Sequence, residues 1–231
     1  MPVIRNLIRL VVASTVLIGN VTKADFLVVM EPSPPFQFFA DNQVRGSVAS
    51  HVQQVFQQAQ IHAQFEIFPW TRAVNLAQSQ SNVFISGIAR TQEREDQFKW
   101  IAIVQSFDFA LITTNELIYA ETLDDARQFT IAVQRNDISH IYLKEMGFSE
   151  QKNLFLTTDI TESWRLLNKQ KVDFLVEDVA VVEDMARDYL TNGQNVTQIV
   201  PLPDLHIDAW LAANPAISDE VVARLKQAFS R

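Results

Sequence analysis

Apolar residues along this chain follow two rhythms that alternate. Short unbroken apolar runs, bounded by charge, proline or glycine, predict buried strands at residues 25–30, 65–68, 83–86, 129–133, 153–158 and 172–176. Between them apolar residues recur at helical spacing. Val48, Val52, Val55, Phe56 and Ala59 lie on one face, with glutamines between them. Trp70, Ala73, Val74 and Ala77 follow Pro69 in the same way. Further helices are expected over 137–146, stopped by Gly147, and after Asp159, where Glu162 completes a capping box and Trp164, Leu166 and Leu167 pack inward. Another runs over 179–189 and ends at Asn192-Gly193, and a last one is capped by Ser218, with Asp219 and Glu220 in its first turn. Extended runs are predicted at 100–104, 109–113, 196–202 and 207–213. Three prolines within 31–36 remove donors and fix φ, which makes that segment a stiff loop leaving a strand end.

Strand and helix therefore alternate in two blocks, with a short tail after the second. This is the α/β pattern of mainly parallel sheets flanked by helices. No flexible linker parts the blocks, so two lobes joined by strand-like crossings near 110–115 and 200–207 are expected. The expected division is a leader over 1–24, lobe 1 over 25–112 and 206–231, and lobe 2 over 113–205. In open α/β sheets the binding crevice lies beyond the carboxyl ends of the strands. The polar loops at 31–36, 86–94, 134–139 and 177–178 occupy such positions.

Composition narrows the class of partner. The 231 residues carry a formal net charge of −8, which argues against nucleic acid, since a phosphate-binding surface needs clustered Lys and Arg. Arg5 and Arg9 precede a short apolar run at 10–19, and Thr22-Lys23-Ala24 reads as a cleavage site, so export with cleavage before Asp25 is expected. The alternative is an uncleaved anchor. The chain contains no cysteine, hence no disulfide and no lipid-acceptor residue after the leader. A soluble periplasmic protein is expected, and a monomer. His51, His62, His140 and His206 lack metal spacing, and no glycine-rich phosphate loop or nucleophile elbow is present, so neither metal nor cofactor is expected.

The stretch 67–98, IFPWTRAVNLAQSQSNVFISGIARTQEREDQF, places aromatic and cationic groups at the ends of regular elements, as half of a ligand cleft would. Trp70 is either a core residue of its helix or a cleft wall. Arg72 lies two positions on, about 200° around the helix, so it is a ligand contact only if the helix end is irregular, and otherwise a surface charge. Arg94 sits in a turn with Glu95 and Asp96 and is either an exposed charge or a ligand cation. Glu177 and Asp178 flank one strand end and point to opposite sides, so one of them faces the cleft.

Three segments give the chain a family likeness: PPF at 34–36, SGIARTQER at 86–94 and KVDFLVED at 171–178. With these it resembles the bacterial extracellular solute-binding proteins of family 3, the periplasmic amino-acid-binding type. The resemblance covers nearly all of the chain after the leader, and PWTRA at 69–73 resembles a divergent branch. It implies the two-lobed type II periplasmic-binding fold with two hinge crossings. It also implies a small-molecule ligand, delivery to an inner-membrane ABC permease, and no catalysis. By the resemblance Arg94 clamps a ligand carboxylate, chemistry that suits a guanidinium fork. Asp178 receives a ligand ammonium, Trp70 forms a pocket wall, and Glu31 and Phe36 lie on the first cleft loop. Ser86, Thr91, Arg72 and Asp137 complete the candidate ligand-binding set.

Two departures bear on the ligand. The family's second-lobe turn usually offers Gly followed by Ser or Thr to the carboxylate, and here reads Gln134-Arg135-Asn136-Asp137, where Asp137 would repel it. The family's Gly-Phe-Asp segment is here Gly46-Ser47-Val48. A carboxylate-bearing, amino-acid-like or amine-bearing solute all fit the expectation. The alternatives are a dehydratase- or lyase-like enzyme on the same scaffold, with Glu31, Asp137 or Glu177 as acid or base, and a periplasmic ligand sensor.

Overall fold

The computed structural model describes residues 26–230, so the leader and the expected cleavage before Asp25 lie outside the described residues. Ten strands and six helices follow in order: β1 Phe26–Met30, β2 Phe38–Ala40, β3 Gln43–Arg45, α1 Ser47–Gln58, β4 Ala63–Ile67, α2 Trp70–Ser79, β5 Val83–Ala89 and β6 Lys99–Thr113. Then come β7 Ile131–Gln134, α3 Ile138–Glu145, β8 Leu154–Thr157, α4 Ile160–Asn168, β9 Phe174–Asp178, α5 Val182–Tyr189, β10 Gln198–Ala213 and α6 Asp219–Phe229.

Eight strands join in the order β4-β1-β5-β10-β6-β9-β7-β8. At one end β4, β1 and β5 are parallel, and at the other β9, β7 and β8 are parallel. The long strands β6 and β10 pair antiparallel in the middle and belong to both halves. The sequence predicts each of them as two separate runs. The register breaks between Pro201 and His206 explain the difference for β10. Pro201 and Pro203 cannot donate to the ladder, so residues 202–205 bulge while the strand resumes at His206. The same break divides the sheet: 206–213 pair with 99–108, and 198–201 with 110–113.

Helix caps are built locally. Asp159 accepts from the Glu162 N–H at 2.8 Å. The Glu162 carboxylate reaches back one residue further than a capping box requires, to the N–H of Thr158 at 2.7 Å. At the end of α3, Gly147 takes a φ of 84°, with its N–H on Lys144 O and that of Phe148 on Leu143 O, the paired bonds of a Schellman motif. Ser218 caps α6 as predicted.

Each half has its own packed layer. Trp70, Ala73, Ala77, Val83, Ile85 and Trp100 form one under α2, while Leu111, Ile131, Val133, Leu143, Leu154 and Phe174 form another under α3. On the opposite face α1 buries Val48, Val52, Val55 and Phe56, and Phe56 meets Phe65 and Phe84 edge-on at 5.6 and 5.1 Å. No helix among the described residues is long and apolar enough to cross a membrane.

The β2–β3 hairpin is not among the elements that the hydrophobic pattern predicts. Its turn residues Asp41 and Asn42 have φ of 49° and 59°, the left-handed pair that tight hairpins need. The same pattern ends β5 at Gly87, which instead sits inside the strand with a φ of 89°.

Candidate functional site

A cleft opens where the carboxyl ends of the two parallel strand sets face each other. It encloses about 740 Å³, its open mouth included. The loop after β1 brings Glu31, Ser33 and Phe36, and β5 brings Gly87 and Ala89. From the other half come Gln134 at the end of β7, Asp137 just after it, and Glu177 and Asp178 at the end of β9. The bridging strands supply the floor, Phe107 and Phe109 from β6 and Ile207 and Ala209 from β10.

Local chemistry fixes each wall. Phe36 is held by its own carbonyl, which accepts the N–H groups of Val48 and Ala49 at 3.0 and 3.2 Å, two free donors of the first turn of α1. That approach needs glycine at position 46, since a Cβ there would stand 2.2 Å from the Phe36 oxygen. Pro69 pre-sets the backbone at the start of α2, so Trp70 occupies the first helical position with its ring in the core and its edge on the cleft. Phe36 meets Phe107 edge-on at 5.2 Å, and Phe107 stacks on Phe109 at 5.7 Å with 27° between planes. Alternation along β6 points both Phe107 and Phe109 into the cleft, on the side opposite Asp108.

Two side chains cross the cleft. Trp70 Nε1 donates to the carbonyl of Asn136 at 2.9 Å. Gln134 Nε2 donates to Glu31 at 2.5 Å. Asn136 is held in a left-handed turn, φ 60°, with its N–H on Nδ1 of His140 at 3.2 Å. Asp137 is the N-cap of α3 and accepts from the Ser139 N–H and hydroxyl at 3.3 and 2.6 Å.

Acids dominate the electrostatics. Burial pushes the Glu31 carboxyl up to about 8, with the charge of Asp137 adding to it, while the bond from Gln134 and the charge of Arg94 act the other way. Burial also pushes Glu177 up to about 7, although its oxygens accept from Trp164 Nε1 at 2.8 Å and from the Asp178 N–H at 2.9 Å. Asp178 is raised by burial, against the backbone N–H groups of Ala180 and Asp108. One Asp178 oxygen takes those N–H groups, and the other is buried without a partner.

Five of the nine residues expected from the sequence line the cleft: Glu31, Phe36, Trp70, Asp137 and Asp178. Four do not. Arg94 lies half-buried behind Trp70, its guanidinium 5.5 Å from the ring centroid and bonded to the Ala89 carbonyl at 3.2 Å. Burial lowers its pKa, and the charges of Asp137, Glu93 and Glu31 oppose that. The helix start at Trp70 is regular, so Arg72 turns outward, where it covers the Phe68 ring at 4.4 Å. Ser86 is fully buried in β5, one residue short of the cleft, and Thr91 precedes the 3₁₀ turn Gln92–Gln97. The cleft also takes in Gln134, Phe107, Phe109 and Glu177, which the candidate set lacks. The alternation Phe-Asp-Phe at 107–109 is the signal that would have found the two phenylalanines. Both Glu177 and Asp178 reach the cleft because it meets the strand end rather than one face of the strand.

Comparison with known proteins agrees with this geometry. Residues 26–119 match the family model for bacterial extracellular solute-binding proteins, family 3, so the resemblance read from the sequence is borne out. A search of curated proteins gives no match. Among solved structures, an ancestral arginine-binding protein bound to arginine is 16% identical with a TM-score of 0.77, over 90% of this chain and 92% of that one. An amino acid ABC transporter substrate-binding protein from Streptococcus pneumoniae, bound to L-arginine, is 15% identical with a TM-score of 0.76, over 90% and 88%. A histidine kinase sensor domain with similarity to periplasmic binding proteins is 21% identical with a TM-score of 0.74, over 89% of both chains. These likenesses establish the fold as the two-lobed type II periplasmic-binding architecture.

Proposed function

We propose that this chain, whose residues 26–119 match the family 3 extracellular solute-binding model, captures a small polar molecule in its cleft and passes it to an inner-membrane ABC importer. The observation that carries this reading is the pair of direct bonds across the cleft, Trp70 to Asn136 and Glu31 to Gln134. A cleft closed by its own walls, on strands that run through both halves, is the geometry of a hinge-closing receptor. The lobes are then those expected from the sequence, with hinges where β6 and β10 change register. The protein is a periplasmic monomer in this reading. Glu31, Phe36, Trp70, Asp137 and Asp178 contact the ligand, and the solute is bound without being converted.

A thermal-shift screen against amino acids, amines, small carboxylates and short peptides tests it. A ligand that binds only the folded state adds about 2.7 kcal/mol of stability at a hundredfold excess over its Kd. A shift with one class, and recovery of that molecule unchanged, supports a receptor. Turnover of the molecule overturns that reading in favour of an enzyme. The likeness to a histidine kinase sensor domain favours one second reading, a ligand sensor. Deletion of the gene separates the two: loss of uptake marks an importer, and loss of a transcriptional response with uptake intact marks a sensor.

A further inference from the structure

The walls of the cleft say what charge the ligand carries. No Arg, Lys or His lines it among the described residues, whereas Asp137, Glu177 and Asp178 do, beside a Glu31 that burial keeps protonated. The cation that a carboxylate would require, Arg94, is not on the cleft lining: it packs on the Trp70 ring and bonds the Ala89 carbonyl, and its charge already acts on Glu31 and Asp137. The side-chain donors of the second-lobe turn are already engaged, Gln134 on Glu31 and the Ser139 hydroxyl on Asp137. Asn136 turns its carbonyl, not an N–H, toward Trp70, and the Asn136 N–H is held by His140.

A cation is served in two ways. Asp178 is 3% exposed and its second carboxylate oxygen has no hydrogen-bond partner, in a wall that faces the cleft. A buried acceptor left open is costly unless a donor arrives to fill it. The rings of Phe36, Phe107 and Phe109 line the same cleft, Phe109 as the register partner of Asp178 on the adjacent strand, and aromatic rings attract a positive charge. Ile138, Ile160 and Val176 complete an apolar surround.

From this juxtaposition we infer that the ligand is a small organic ammonium ion with an apolar body and no carboxylate, its nitrogen on Asp178 and its carbon skeleton against the phenylalanines. The inference rests on the receptor reading and narrows it.

Matched pairs test it. Calorimetric titration of the purified protein with L-phenylalanine and phenethylamine, L-lysine and cadaverine, and L-arginine and agmatine compares each amino acid with the same molecule lacking its carboxylate. The expected result is that in at least one pair the amine binds ten-fold or more tighter. Asp178→Asn, which keeps an acceptor for the Ala180 and Asp108 N–H groups, should weaken that amine at least ten-fold. Equal or tighter binding of the amino acid in every pair overturns the inference and leaves a receptor for amino acids standing. Amine binding unchanged in a folded Asp178→Asn overturns the assignment of the nitrogen to Asp178. If no amine, amino acid, small carboxylate or short peptide binds at all, the inference and the receptor reading both fall.

Discussion

Trp70 Nε1 meets the carbonyl of Asn136 at 2.9 Å, and with that bond a residue buried in the core of one half holds the far wall of the cleft. Trp70→Phe keeps an aromatic ring in the core and removes the donor. A neutral hydrogen bond contributes about 1 kcal/mol net, so the closed form should lose about five-fold in population relative to the open one. Small-angle scattering of the unliganded protein reads this as a larger radius of gyration. An unchanged radius would mean that the bond does not hold the cleft shut. Trp70→Ala is a different experiment, because emptying the core site costs about 3–5 kcal/mol of global stability.

Glu31 gives the protein a pH dependence of definite sign. Its carboxyl stands at about 8 in the fold, against an ordinary value of 4.5 when exposed. The folded state therefore binds the proton more tightly than the unfolded chain does. Its contribution is whole below pH 4.5, declines as pH rises through the window to about 8, and is gone above it. Glu31→Gln stays neutral and can still bond Gln134. The melting temperature of the wild type should fall relative to that of the variant between pH 5 and pH 9, and parallel curves would show that Glu31 is not protonated in the fold. Glu177 acts in the same direction with a value of about 7, so Glu31→Gln leaves a residual slope centred lower, and the double variant with Glu177→Gln should flatten it.

Arg94 separates a ligand clamp from a brace. In this geometry it supports the Trp70 ring, and a partly exposed cation–π contact is worth about 0.5–1 kcal/mol. Arg94→Ala should then weaken an ammonium ligand only two- to five-fold, measured by calorimetry. Complete loss of binding of a carboxylate-bearing ligand, with an unchanged fold, would restore the carboxylate clamp that the family likeness implies.

The same residues show what could be read in advance. The helical angle between Trp70 and Arg72 is a property of the sequence, and with a regular helix start it puts the two side chains on different faces, as they are found. The caps at Asp159 and Ser218 are local as well, and both bond within their own first turn. Arg94 is another matter. It bonds the Ala89 carbonyl within its own segment, but it also packs on a tryptophan from α2, and no spacing within 86–94 encodes that contact. The bonded oxygen of Asp178 takes one N–H from Ala180, two residues on, and one from Asp108, on a strand 70 residues away in sequence, and that second partner is set by the fold. Phe107 and Phe109 were visible as an alternation, but which face of β6 met the cleft depended on the fold.

Gly46 supplies the sharpest test of how the first cleft loop is held. Its φ of 115° and ψ of 166° belong to a region that side chains essentially never enter. Alanine there would put a methyl group 2.2 Å from the Phe36 oxygen and 2.7 Å from the Pro35 oxygen, both backbone atoms that cannot swing aside. Either α1 shifts, or the loop carrying Phe36 does. The backbone strain alone is about 1–3 kcal/mol, and the N–H bonds from Val48 and Ala49 to Phe36 add about 1 kcal/mol each if they are broken. Gly46→Ala should therefore lose about 3 kcal/mol or more in urea unfolding, and it should also weaken ligand binding because Phe36 leaves the wall it shares with Phe107. Gly193 is the control. It too has a positive φ, 74°, but a Cβ there meets nothing within 4 Å. Gly193→Ala should cost about 1–2 kcal/mol and leave binding as it is. Equal losses in the two variants would mean that backbone conformation, and not the contact with Phe36, is what position 46 requires.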